Sequence, residues 1–216
     1  MNDNLIYCLK NFLKKYPFLF KIAHWLLGSS RVGLGSKEAI RGVKGKIINL
    51  GSGSQRIRKD VINLDMRAYD NVDIVGNIYE LPFFDNEIDA IICDQILEHL
   101  NNLPRALKEM RRVLKVGGLI YAACPFVAAY HSSPDDYYRF TKSGLEAIME
   151  QEGFSKLKSG IRHGPTSALL SVFNGWLALI LSFGSGKLYQ LLLLLFLALT
   201  FPLKFLDYLI CKYRTA

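Results

Sequence analysis

Around residue 50 the chain places glycine and carboxylate where they could hold a ligand. Ile47-Ile48-Asn49-Leu50 is a short apolar run of the strand type, Gly51-Ser52-Gly53-Ser54 follows it directly, and a second run, Val61-Ile62-Asn63-Leu64, ends in Asp65. Glycines at a strand end let the backbone come close to a bound molecule, and a carboxylate at the next strand end can accept two hydrogen bonds from ribose hydroxyls. Two commoner nucleotide sites lose ground. A dinucleotide fingerprint wants a third glycine where this chain has Arg56, and an ATP-cradling loop wants Gly-Lys-Ser or Gly-Lys-Thr where it has Ser54-Gln55-Arg56. Taken alone, the glycine pair also suits an ordinary tight turn.

A second cluster, His131-Ser132-Ser133-Pro134-Asp135-Asp136-Tyr137-Tyr138-Arg139-Phe140-Thr141, gathers groups able to move a proton. His131 is the first candidate for a general base and Asp136 the second. The competing reading has the aspartates cap a turn while Tyr138 and Arg139 brace the following helix. Glu98-His99 either faces the same site or locks the start of a helix, and for His99 the structural role is preferred. Cys8, Cys93, Cys124 and Cys211 are scattered, with no paired spacing and no histidine at metal-ligand distance, so reduced thiols and no structural zinc are expected. The basic runs Arg56-Ile57-Arg58-Lys59 and Arg111-Arg112 read as solvated faces. The first, beside the glycine turn, could also meet a lipid or phosphate head group.

These groups need a scaffold. Apolar runs at 46–50, 61–64, 72–75, 90–93 and 119–123 have the form of strands covered on both faces, the signature of an α/β sheet. Asn102 before Leu103-Pro104 starts a helix whose buried stripe is Leu103, Leu107, Met110 and Leu114, and Gly117-Gly118 is expected to end it. Another helix begins near Thr141, with Ser143 and Glu146 spaced as a capping box, and stops at Gly153. The connections 54–60 and 66–71 are shorter than a parallel crossover normally needs, so the first two helices of the sheet must be vestigial or absent.

Taken in order, the middle of the chain resembles the class I S-adenosylmethionine-dependent methyltransferases, in particular those with small-molecule and lipid substrates. The matching pieces are Ile47 to Gly53, Val61 to Asp65, Gly76-Asn77-Ile78-Tyr79-Glu80-Leu81-Pro82-Phe83, Glu87 to Cys93, Ile96-Leu97-Glu98-His99, and Arg111-Arg112-Val113-Leu114-Lys115-Val116-Gly117-Gly118. The segment Asp136-Tyr137-Tyr138-Arg139-Phe140-Thr141 resembles one found in cell-envelope glycan methyltransferases. The resemblance covers about half the chain. It implies a Rossmann-like sheet with S-adenosylmethionine over the strand C-termini, and cofactor contacts from Gly51, Gly53, Asp65, Asn77, Ile78 and Asp94. Asn77 stands where many relatives carry an aspartate near the adenine amino group, and its amide oxygen can still accept that N–H. Val116 replaces a usual proline.

The two ends differ from the middle. Leu5, Leu9, Phe12, Leu13 and Tyr16 recur at helical spacing among lysines, and Pro17 divides this helix from a second short one, which makes a basic amphipathic pair suited to a membrane interface. Lysines interrupt the apolar run too often for a secretory signal. At the other end, 166–183 and 188–210 approach membrane-spanning length around a Gly184-Ser185-Gly186 turn, with Lys204 and Asp207 near an interface. Lys212 and Arg214 follow as positive-inside flanks would. A spanning hairpin and a re-entrant wedge both fit, since Pro202 and Lys204 interrupt the second helix and Asn174 the first.

Composition agrees with a folded chain partly suited to lipid: 216 residues, 50% hydrophobic, 21% charged, mean hydropathy +0.16 and a formal charge of +8. That balance excludes disorder for most of its length. Three regions are expected: a membrane-interface segment at 1–44, a Rossmann-like domain at 45–163 and a hydrophobic hairpin with a basic tail at 164–216. The expected function is a methyltransferase on the cytoplasmic membrane face acting on a lipid-linked or amphiphilic acceptor, with an anionic membrane as partner. A catalytically inactive adaptor is the alternative. Nucleic acid ranks last because no aromatic-basic interleaving lies outside the apolar ends. The sequence sets no oligomeric state.

Overall fold

The computed structural model describes residues 12, 16–130 and 135–212. The first amphipathic helix expected from the sequence lies outside them, apart from Phe12 and Tyr16. The chain divides into two compact units, one made of Leu34–Phe126 and Tyr130–Gly160, the other of the described parts of Met1–Gly33, Val127–Ala129 and Ile161–Ala216.

The first unit is built on five parallel strands: β1 (Ile47–Leu50), β2 (Val61–Asp65), β3 (Ile74–Val75), β4 (Ile88–Asp94) and β5 (Leu114–Ala123). Their spatial order is β3-β2-β1-β4-β5. Alternate residues of β1 serve opposite faces, as the two-residue period requires. Ile48 and Leu50 join Leu64, Ile91 and Cys93 against Leu103, Leu107 and Met110 of the helix Leu103–Val113. On the other face Ile47 packs with Ile40, Val61, Ala90 and Ile92.

With almost no helix to carry the first two crossovers, the loops must satisfy their own backbone groups. Arg56 donates to the carbonyls of Val61 (3.0 Å) and Asn71 (2.8 Å) and to the Asp73 carboxylate (2.7 Å). Arg58 reaches the carbonyls of Ile40 (3.1 Å) and Val43 (3.3 Å), and the fully buried Asn63 donates to those of Gln55 (2.9 Å) and Asn71 (2.8 Å). Arg112 closes the next connection on the carbonyls of Leu81 and Phe83, with Glu109 and Asp85 as its carboxylate partners. These arginines are therefore internal staples.

One boundary and one helix cap differ from the sequence expectation. The helix from Asn102 stops at Val113 and runs straight into β5, so Gly117-Gly118 lie within the strand, Gly117 with φ of 77°. A glycine there relieves the strand where its register against β4 shifts, rather than ending the helix. The helix Lys142–Gln151 is capped by Thr141, whose hydroxyl accepts from Gly144 N at 3.0 Å, while Glu146 turns away to Lys156.

We label the α-helices among the described residues α1 (Pro17–Leu27), α2 (Ser36–Ala39), α3 (Leu103–Val113), α4 (Lys142–Gln151), α5 (Pro165–Leu181), α6 (Gly186–Thr200) and α7 (Leu206–Lys212). The second unit holds α1 and α5 to α7. Helices α5 and α6 form the hairpin; Gly184 sits at φ 80° in the turn and Ser185 caps α6. Pro202 converts the chain to a 3-10 turn at Phe201–Phe205 before α7. The stretch Gly186–Cys211 contains 18 consecutive residues of mean hydropathy 1.9 and is long and apolar enough to cross a membrane.

Candidate active site

The carboxyl ends of β1, β2, β3 and β4 converge where the strand order reverses, the place at which open parallel sheets take their ligands. Asp65 is the hub. One of its carboxylate oxygens accepts from Gly53 N (2.8 Å) and the other from Arg67 N (3.0 Å), while its carbonyl accepts from Gly76 N (2.9 Å) at the exit of β3. An ionised carboxylate has about four acceptor positions, so two remain for a pair of ribose hydroxyls.

The glycine turn is shaped by the same contacts. Gly51 and Gly53 have φ of 61° and 54°, in the left-handed region where a side chain is strained. A Cβ on Gly51 would stand 2.4 Å from Cδ1 of Ile96, whereas one on Gly53 would meet nothing within 4 Å. The turn is thus closed by Ile96 on one side and open beside Gly53. Open backbone next to a carboxylate with acceptor positions to spare fits the ribose and amino-acid portions of S-adenosylmethionine.

The remaining cofactor residues expected from the sequence lie at the same strand ends. Asn77 is exposed just past β3, and its amide oxygen accepts from Tyr79 N at 3.0 Å, capping its own turn and leaving one lone pair for an adenine amino group. Ile78 is half-buried against the main core. Asp94 ends β4, half-buried, beside the β1 exit. After it comes a feature the sequence did not signal: Gln95 adopts φ of 60° and its N–H bonds to Ala123 O at 2.9 Å. That strained bend carries the chain from β4 to Ile96 over the glycine turn.

The proposed base His131 lies outside the described residues. The Asp136 carboxylate is buried and paired with both terminal nitrogens of Arg139, which also donates to Tyr138 O. Here the bracing geometry is the one observed. Tyr137 N donates to Glu98 O (2.8 Å), Asp135 O pairs with Nδ1 of His99 (2.5 Å), and Phe140 N bonds to Pro125 O (3.2 Å). The segment is therefore laced to the Leu97–His99 turn after β4 and to the exit of β5. Tyr137 is half exposed, its hydroxyl 3.2 Å from the Asp135 carboxylate, and partial desolvation followed by that carboxylate raises its pKa. It stays a neutral donor at physiological pH. Cys93, by contrast, is fully buried beside Met110, and burial pushes its thiol far up, so it is chemically inert.

Comparison with known proteins agrees with this geometry. Residues 51–122, from the glycine turn through most of β5, match the methyltransferase domain family. The chain is 31% identical over 111 residues to a demethylmenaquinone methyltransferase of Corynebacterium glutamicum, covering 48% of each protein. It is 43% identical over 42 residues to a 2-phytyl-1,4-naphtoquinone methyltransferase of Trichormus variabilis, covering 19% of this chain and 18% of that one. The chain thus spans about half the length of the first relative and about a fifth of the second. Among solved structures, phosphoethanolamine N-methyltransferase 2 of Haemonchus contortus, in complex with S-adenosyl-L-methionine, aligns with a TM-score of 0.51 at 17% identity, over 92% of this chain and 56% of that one. At such identity the likeness is one of fold.

Proposed function

We propose, from the premise that this chain carries a class I S-adenosylmethionine-dependent methyltransferase domain, that it methylates a lipid-linked or amphiphilic acceptor from the cytoplasmic face of a membrane. The observation that carries the cofactor half is the bond from Gly53 N to Asp65 at the switch point of the sheet. The cofactor supplies an electrophilic methyl on sulfur, and the protein's task is alignment of the acceptor with it. In this reading Asp65 holds the ribose, Gly51 and Gly53 give the backbone room beside it, and Asn77, Ile78 and Asp94 border the rest. The segment braced by Asp136 and Arg139 positions the acceptor, with His131 receiving its proton and Tyr137 donating a hydrogen bond.

The membrane half rests on the second unit, where large apolar side chains such as Leu169, Trp176, Leu179, Leu191 and Leu199 face outward. Water-exposed apolar surface on that scale marks an interaction site. Relatives named for quinone substrates favour an apolar acceptor as well.

Calorimetric titration of S-adenosylmethionine into detergent-purified protein tests the cofactor site. Binding in the micromolar range is expected, and Asp65→Ala should weaken it by about 3 kcal/mol, since a charged acceptor is lost. Absence of binding by the folded wild type would leave the adaptor reading. Carbonate extraction tests the anchor: release of full-length protein would overturn it.

A further inference from the structure

The second unit contains charged side chains that the methyl-transfer reading does not use, and they are buried. Lys204 and Asp207 lie within the apolar stretch Gly186–Cys211, yet Lys204 is 6% exposed and Asp207 fully enclosed. Each finishes the end of a different helix. Asp207 accepts from Thr166 N (2.7 Å) and Ser167 N (3.0 Å), capping α5 at its positive end, and from the Ser30 hydroxyl (2.5 Å). Lys204 donates to the carbonyls of Trp25, Leu26 (3.3 Å) and Gly28 (3.0 Å), the negative end of α1, with its ammonium among the rings of Trp25, Phe201 and Phe205 at 5.5 to 5.7 Å. The Ser30 hydroxyl also pairs with that of Ser167 at 2.8 Å, and His163 Nδ1 contacts Ser30 O at 2.8 Å.

This knot joins three segments distant in sequence: the end of α1, the start of α5 and the link from α6 to α7. Its packing leaves no slack, since a Cβ on Gly164 would stand 2.1 Å from Asp207 Cγ. The chain leaves this unit and re-enters it beside the knot, where Val32 N and Gly33 N both donate to Arg162 O (3.0 and 3.2 Å). Away from the knot the hairpin has polar groups mainly at its tip, Ser182 to Lys187. At 1.5 Å per residue α5 is about 25 Å long, and the Lys187 stem can carry the charge the remaining few ångströms across a hydrocarbon core of about 30 Å.

We propose that α1 and the C-terminal hairpin form one discontinuous membrane anchor that takes up a phospholipid bilayer. The knot lies at headgroup level, at the end where the chain leaves for the methyltransferase unit and returns from it, and the tip lies at the opposite headgroups. The proposal rests on the membrane reading above and deepens it. It makes α1 a part of the anchor held by Lys204, so that the methyltransferase unit is an insertion into the anchor rather than a domain with two independent appendages. Polar atoms inside and apolar side chains outside suit lipid as the surrounding medium, because Asp207 meets the first N–H groups of α5 and Lys204 the last carbonyls of α1 while hydrocarbon solvates the rest.

The chain's two tryptophans, Trp25 and Trp176, report the two depths. Trp25 belongs to the knot, and Trp176 lies about 16 Å along α5 from Pro165. The full-length protein is reconstituted into phosphatidylcholine–phosphatidylglycerol vesicles whose lipids carry bromine either near the headgroup or near the chain end. In Trp176→Phe the remaining Trp25 should be quenched at least threefold better by the shallow bromine, and in Trp25→Phe the remaining Trp176 by the deep one. Lys204→Gln in the Trp176→Phe background should cut the Trp25 quenching at least in half, since α1 is then untied. Quenching of Trp176 alone, or Trp25 quenching indifferent to Lys204→Gln, overturns the discontinuous anchor while leaving membrane attachment intact. Quenching of neither tryptophan overturns the membrane reading itself. Ser185→Cys should react with an impermeant maleimide only from the side opposite the methyltransferase unit; reaction on the same side overturns the tip assignment.

Discussion

The two units of this chain distribute polarity in opposite senses. In the methyltransferase unit most enclosed positions are apolar, such as Ile47, Ile48, Ile91, Ile92, Leu107 and Met110, with a few enclosed polar groups such as Asn63, Asp65 and Glu98, and ion pairs such as Arg112–Asp85 and Lys115–Asp89 lie nearer the surface. In the helical unit Asn174 and Asp207 are enclosed, whereas Leu169, Leu179, Phe183 and Leu199 are mostly exposed. A sheet domain in water gains by hiding hydrocarbon, at roughly 25 cal/mol per Å². A helical hairpin with the inverse pattern gains nothing from water in that way, and its specificity comes from the few polar contacts at its base. The contrast teaches that one chain can carry two folding rules, one that hides hydrocarbon and one that hides the polar caps of its helices.

The largest expected effect attacks the polar interior of the helical unit. Asp207→Ala strands the N–H groups of Thr166 and Ser167 and should lower the stability of the unit in detergent by about 4 kcal/mol, followed through tryptophan fluorescence, since both tryptophans lie there. Asp207→Asn, which keeps an acceptor, should cost less than half of that. If Asp207→Ala proves neutral, the knot is ornamental and the contrast between the units fails.

Next in size is the apolar interior of the other unit. Leu107→Ala in α3 removes a fully buried side chain from the main core and should cost about 3 kcal/mol, read as circular dichroism loss against urea, with the tryptophan signal unmoved. A shift of both signals together would show that the units unfold as one.

Acid sharpens the comparison with the smallest effect. Arg56 and the Asn63 N–H hold Asp73 below its ordinary 3.8, Lys115 and the Lys46 N–H do the same for Asp89, and Arg112 holds Glu109 below its ordinary 4.5. A carboxylate depressed in the folded state stabilises above its unfolded pKa, and that contribution is lost as pH falls through the lowered value. The urea midpoint of the methyltransferase unit should therefore be flat from neutral pH to about 5 and decline below about 4.5. A midpoint that rises on acidification would contradict these ion pairs.

Much of this was legible in the residues themselves. Short apolar runs gave the strands because local burial on both faces demands them, the Asn102-Leu103-Pro104 start of α3 is a local capping signal, and Gly51, Gly53 and Asp65 stand out because they follow runs of that kind. The hairpin was equally plain from unbroken apolar length. What the sequence alone could not decide were partnerships across distance. Arg56 and Arg58 look like any solvated basic run until the backbone carbonyls of missing crossover helices need donors. Asp136 looks like a base until Arg139 closes on it. Gln95 carries no sign of its left-handed bend, because that strain is imposed by β5 and Ile96. Lys204 and Asp207 read as interruptions of an apolar helix, and only the tertiary structure turns them into the caps of α1 and α5. Local patterns are fixed by neighbours in the chain; the satisfaction of buried polar groups depends on whichever segments meet in space, and that is known only once the chain has folded.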